Sequence, residues 1–268
     1  YRDSQVHGGG NLMFRYFKLY YYMLKFSISR AMQFRMDFSF RIFMDLFFNV
    51  TTILFFQILY LHTDQVGGWT KDQVLIFLGG IFINDAIMMT FFNNNFYWLP
   101  QAVNKGELDY YLVRPVSSLF FLSLREFATN SFINLLFALG ILGWAIWRYP
   151  EPFGLLTTFS YLLLLILGAS LTYVVHLTFI IPVFWTHSSQ GFSQVFWTLS
   201  RVTERPDRIY TGFTRKIFTV VVPVCVMVSF PTRLVVEDFD GMILLHLLLA
   251  IVCFWVLALW LWSLALKH

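Results

Sequence analysis

The sequence predicts an all-α integral membrane protein, with six transmembrane helices preceded by an amphipathic helix on the membrane surface. Two observations predict this. Hydrophobic residues make up 58% of the 268 positions and charged ones only 13%, about half the charged share of a soluble domain. Several apolar runs also pass the length of roughly 18 residues, and in lipid only a helix satisfies its own backbone over such a length. The net charge of +4 does not point to nucleic acid, because the cations cluster at alternating connections, which is the pattern of membrane orientation. Cys225 and Cys253 both lie in apolar runs and form no C-x-x-C pair, so neither a metal nor a redox framework is expected.

Residues 1–11 read as a polar tail or an expression remnant and are set aside. The rest, 12–268, reads as one transmembrane domain. Arg15, Lys18, Tyr22, Lys25 and Ser29 recur at spacings of three and four, with Phe14, Phe17, Tyr21, Leu24 and Ile28 on the other sides. That is a helix lying along a leaflet with its cations towards headgroups, serving as an anchor or as a functional element. Spans are expected at about 38–61, 74–97, 119–147, 155–184, 217–235 and 242–266. The third and fourth exceed the roughly 20 residues a crossing needs, so they should tilt or project. The fifth contains Pro223 and Pro231 and ends in "TRLVVEDFDG", so it either crosses or re-enters the outer leaflet.

Charge sets the expected orientation. Arg2, Arg15, Lys18, Lys25, Arg30, Arg35 and Arg41 precede or open the first span. Lys105, Arg114 and Arg125 follow the second. Arg201, Arg205, Arg208, Arg215 and Lys216 follow the fourth, and Lys267 closes the chain. The other side carries Lys71, Arg148 and Arg233 against Asp64, Asp72, Glu151, Glu237, Asp238 and Asp240. Both termini are therefore expected in the cytoplasm.

A carboxylate near a span centre costs about 2.5–3.5 kcal/mol on insertion scales, so each one needs a reason. Arg41 and Asp45, four apart, are expected to pair. Asp85 has Asn84 beside it and no charged residue one turn away; it lines a functional path or acts as buried glue between spans. Asn49, Asn130 and Asn134 are expected to hydrogen-bond across helices. Arg125 and Glu126 sit near a span end, where snorkelling makes charge inexpensive. His176 and His246 stand alone on apolar runs and read as structural.

Between the second and third spans lies "VNKGELDYYLVRPVSS". Asn104 suits the cap of a short helix, Glu107 and Asp109 its first turn, and Pro115 its end. Leu108, Tyr111 and Leu112 give an apolar ridge beside the charges. Such a segment either docks into a groove on a soluble partner or lies as a turn against headgroups.

The stretch "KGELDYYLVRPVSSLFF" resembles the cytoplasmic loop of type-2 exporter permeases of the ATP-binding-cassette (ABC) family, in particular the bacterial six-span stand-alone permeases. "ERPDRIYTGFTRKIFTVVVPV", from Glu204 to Val224, is similar to the second cytoplasmic loop of the same group. The resemblance implies a type-2 exporter permease fold from about Leu12 onward. It also implies a coupling helix over Gln101–Arg114, with Gly106, Glu107, Leu108, Asp109 and Arg114 at matching positions and Tyr111 and Leu112 on its ridge. The second cytoplasmic loop would carry Arg205, Pro206, Arg208 and Tyr210. Further implications are a separate ABC ATPase dimer that holds the ATP and Mg, a second permease copy, identical or not, and a bacterial inner-membrane location. No cofactor is then expected on this chain. It carries no G-x-x-x-x-G-K-[ST] loop, so an ATPase would be another polypeptide. Two other readings remain. A lipid-modifying enzyme would need G-x-S-x-G, H-E-x-x-H or paired histidines at one depth, and "HTD" at His62–Asp64 is the nearest approach. A secondary carrier or channel would need inverted repeats and midplane ion ligands, of which Asp85 is the one candidate.

Overall fold

A computed structural model describes residues 18–27, 29, 35–107, 117–151, 153–186 and 190–267. Residues 18–27 are helical. The long helices are α1 (Arg35–Leu59), α2 (Lys71–Phe91), α5 (Thr129–Arg148), α6 (Leu155–Ile180) and α11 (Gly241–Ala265). Shorter ones are α3 (Asn93–Asn104), α4 (Ser118–Leu124), α7 (Val183–Thr186), α8 (Gln190–Ser200), α9 (Gly212–Lys216) and α10 (Ser229–Val236). Among the described residues there is no strand, only an isolated bridge between Val66 and Trp69. This is an all-α bundle, and five of its helices are long and apolar enough to cross a membrane.

α2 is the hub. Of its apolar window 78% is buried in protein, against 11% for α1 and 17% for α11. Its composition fits that place: "VLIFLGGIFI" is apolar on every side, the signature of a helix surrounded by protein or lipid. α5 runs antiparallel to it, and Arg148 meets Asp72 at 3.6 Å where the two helices share an end. At the opposite end the amide of Ala128 donates to the Thr90 carbonyl. Asn95 closes the break between α4 and α5, accepting from the Glu126 amide at 2.8 Å and donating to the Glu126 carbonyl at 3.0 Å.

The link from α1 to α2 marks the first of these ends. The Tyr60 hydroxyl donates to the Trp69 carbonyl at 2.8 Å, and burial pushes that hydroxyl up to about 12, so it stays a donor at any physiological pH.

The largest difference from the expected topology lies in the fifth crossing. Residues 217–235 are not one helix. A π-turn at Ile217–Val221 is followed by irregular backbone through Pro223, and α10 starts only at Ser229. The crossing is made by residues 190–209 instead. α8 leaves the α3–α7 end with Phe196 stacked on His176 at 3.8 Å. A 3-10 turn at Arg201–Glu204 follows, and a second at Asp207–Ile209 reaches the Trp69 end, where Arg208 meets Glu237 at 2.7 Å. Eleven α-residues, a 3-10 turn and an extended link cover about 30 Å, the thickness of the hydrocarbon core.

From there residues 212–236 dip into the bundle and return on the same side. The tip is Val224–Val228, each at most 1% exposed. It sits on Gly168, where a Cβ would overlap the Met227 carbonyl oxygen. Gly168 is thirteen residues from Leu155, so the tip reaches about 20 Å into the bundle. Prolines cause this path: Pro223 has no N–H for a helical ladder and Pro231 fits only the first turn of α10. The cations Arg208, Arg215 and Lys216 therefore sit at the Trp69 end, opposite residue 105. The charge tally had placed them with residue 105. It missed the crossing because α8 and its 3-10 extension carry Arg201 and Glu204, which keeps their mean hydropathy low.

Single cysteines read this topology directly. With an impermeant thiol reagent, a cysteine at Arg208 should label from the same side as one at Asp64 and from the side opposite Lys105. Labelling of 208 together with 105 would return the fifth crossing to residues 217–235.

Candidate functional site

Asp85, Asn49 and Asn134, expected in the spans, converge on one cavity of about 490 Å³. It opens between α1, α2, α5, α6 and α8. Asn49 of α1 donates to Asn134 of α5 at 3.1 Å, and the Thr172 hydroxyl of α6 donates to Asn84 of α2 at 3.0 Å. Each pair joins two helices through neutral side chains, which costs less at this depth than charge. Asp85 is partly buried and faces Glu204 across the space, with no cation among its electrostatic partners. Glu204 itself is balanced by Arg201 and Arg205.

A second, wider cavity of about 860 Å³ continues the first towards the 105 end. The two share Asp45, Met89, Asn93, Tyr97 and Trp197 on their walls. Arg41, Gln101 and Asn130 line the wider one, where the Asn130 amide donates to Ser131 at 3.3 Å. Together they form a polar passage from the α3 end to mid-depth. Met227, at the re-entrant tip, lines its inner end.

His176 lines the cavity from α6. Its ring lies between Phe96 and Phe196, and no group of three metal-binding side chains occurs among the described residues. His246 is structural, its Nε2 lying 2.8 Å from the Thr219 carbonyl.

The wall contributed by α8 had no counterpart in the expected sites. Gln194, Trp197, Arg201 and Glu204 all face the cavity. Their spacing of three, four and three is a stripe on one helical face, and that spacing is the signal that could have identified this crossing.

At the far end an ion cluster holds the re-entrant segment. Asp207, wholly buried, accepts from Arg215 Nη2 at 2.8 Å and from Arg233 Nη1 at 3.3 Å. Glu237 accepts from Arg208 at 2.7 Å, from Arg233 Nε at 3.4 Å and from the Trp69 indole at 2.7 Å. Arg205, Pro206, Arg208 and Tyr210, expected in a cytoplasmic loop, belong to this region. Pro206 packs within reach of Gly67, and the Tyr210 hydroxyl donates to Val202 O at 3.3 Å. The reason is electrostatic: Arg208 finds its acid at the end of α10 and not in the loop around Lys105.

The first loop also differs from expectation. Gly106 ends a helix. α3 stops at Asn104, Gly106 takes φ +68°, its amide bonds to Val103 O at 3.2 Å, and the Glu107 amide bonds to Ala102 O at 2.9 Å. These two bonds form a Schellman cap, and a positive φ favours glycine there. Asn104 is thus a last residue and not a first cap. Leu108, Asp109, Tyr111, Leu112 and Arg114 lie outside the described residues.

The model of a family described as ABC-2 family transporter protein matches residues 46–268. No curated protein and no solved structure matches the chain.

The ion cluster makes a stability prediction. Asp207→Ala removes the buried acid that Arg215 and Arg233 share, leaving Arg233 with Glu237 alone, and should cost about 1.5–3 kcal/mol. Arg215→Ala, on the exposed edge, should cost about 1 kcal/mol or less. Thermal unfolding of the purified variants measures both.

Proposed function

Since the chain belongs to the ABC-2 transporter family and is a permease subunit of an ABC transporter, we propose that it forms the substrate path of an exporter driven by a separate ATPase dimer. One observation carries the reading: the polar passage from the α3 end to mid-depth, closed above by the tip at Met227. A path open at one side and sealed at the other is one half of an alternating cycle.

α3 supplies the mechanical link. Asn93 and Tyr97 line the passage, and seven residues further on the helix ends at the Gly106 cap. A push on the loop after Gly106 is delivered through this short helix to the cavity wall. In this reading Gln101–Arg114 docks on the ATPase, which carries the ATP and Mg, and the chain binds no cofactor of its own. α1, with its largely unburied surface, meets a second permease copy. Both termini face the cytoplasm of a bacterial cell.

Co-purification with the ATPase tests the docking. Losing Leu108 and Leu112 together should weaken assembly, by about 1.5–3 kcal/mol for each fully buried leucine, or at least tenfold in Kd. Glu107→Lys should weaken it in low salt and less in high salt. Gly106→Pro should uncouple the complex, because proline holds φ near −65°, while Gly106→Asn should retain activity. Full complex and full ATPase rate in all of these would remove the loop from coupling.

Asp85→Asn tests the path. A lost charge-assisted contact is worth about 1.5–3 kcal/mol, so transport should fall about tenfold or more while the ATPase still co-purifies. Wild-type transport and ATP turnover would reduce Asp85 to packing.

A further inference from the structure

α5 and α6 each pack on α2 and barely on one another. Between them is a cleft of about 710 Å³. Ile87 and Phe91 of α2 and Phe92 form its back, Leu135 of α5 and Ile166 of α6 its lips, and Trp255 of α11 one side. Ile166 is 61% exposed, so the mouth faces outward at membrane depth. α4 closes the end nearest the Gly106 loop.

The walls make no polar demand. Ser123 and the Tyr173 hydroxyl bond to each other at 2.6 Å, and Ser170 accepts from the Trp255 indole at 3.1 Å. Water has no partners here, so the cleft is dry or filled by something apolar. Its size decides what. The α6 wall runs from Ile166 to Tyr173, about 10 Å along the helix, so 710 Å³ corresponds to a slot of about 70 Å² in cross-section. A helix about 10 Å across needs about 80 Å² and does not fit. Extended acyl chains are narrower than a helix and lie side by side in the slot.

We propose that this cleft is a lipid site that holds both acyl chains of one phospholipid from the leaflet at the α4 end. The lipid then wedges between α4–α5 and α6, directly after the loop proposed to meet the ATPase. The site does not depend on that docking, and its test does not read it.

The full chain, purified in mild detergent and supplied with palmitoyl-oleoyl phosphatidylethanolamine, is examined by native mass spectrometry after annular lipid has been washed away. One phospholipid should remain per chain. Leu135→Trp and Ile166→Trp fill the mouth and should lower its occupancy at least fivefold, with elution volume and helicity unchanged. Leu54→Trp, on the exposed face of α1, should retain it as wild type does. If the tryptophans impair insertion, Leu135→Phe and Ile166→Phe should give the same order of occupancy. Equal occupancy in wild type and both mouth variants, at any level including zero, overturns the site, and so does an equal loss in Leu54→Trp.

Discussion

The buried carboxylate of Asp207 holds the architecture together. A chain that enters a membrane and returns on the same side leaves backbone groups without helical partners, and such a path is tolerated only where protein surrounds it. Asp207 makes that enclosure possible. It lies at the turn where the fifth crossing ends and gathers Arg215 from the start of the re-entrant segment and Arg233 from its final helix. Both legs of the excursion are thereby fixed to one point. Arg233 also reaches Glu237, which in turn holds Arg208 and the Trp69 indole, so the first link of the bundle is tied in as well.

The tip of the excursion has its own requirement. Met227 can approach α6 only because residue 168 has no side chain, and the Tyr161 hydroxyl pairs with Thr232 at 3.0 Å nearby. Close packing and satisfied polar groups replace the helical ladder that the prolines interrupt. The result is a roof over the inner end of the polar passage. The roof and the passage wall are successive parts of one chain segment: residues 190–209 carry polar side chains past Asp85, and residues 212–236 close the space above. The fifth crossing and the roof are joined at Asp207.

The opposite end is organised by hydrogen bonds between neutral groups. Asn95 clamps the break before α5, the Gly106 cap fixes where α3 stops, and Asn49–Asn134 holds α1 against α5. These contacts are individually modest. The far end is held instead by the ion cluster around Asp207 and Glu237.

Composition and run length determined the class of this protein, because burial in lipid demands long apolar helices wherever they occur. The expected apolar runs fall on α1, α2, α6 and α11, while the run expected at 119–147 is broken at 125–128 into α4 and α5; the sequence also singled out Asp85, Asn49 and Asn134 as polar residues needing partners at depth. Pro223 and Pro231 signalled the re-entry as an alternative. What it left undecided was which segment makes the fifth crossing. Hydropathy selects segments that face lipid, and α8 with its 3-10 extension faces Asp85 and His176 instead, so its polar residues, with Arg201 and Glu204 beyond them, hid it. The sidedness of Arg208 failed for the same reason: charge counting assumes that each cation lies in a loop free to choose a side, while Arg208 is held by Glu237, 29 residues on. Gly106 shows the limit at short range, since the same residues read as a helix start or a helix end until the direction of the Ala102–Glu107 bond is known. Tertiary contact decided the fifth crossing and the sidedness of Arg208, because hydropathy and charge counting do not see the protein partners that hold them, and the local cap bonds decided Gly106.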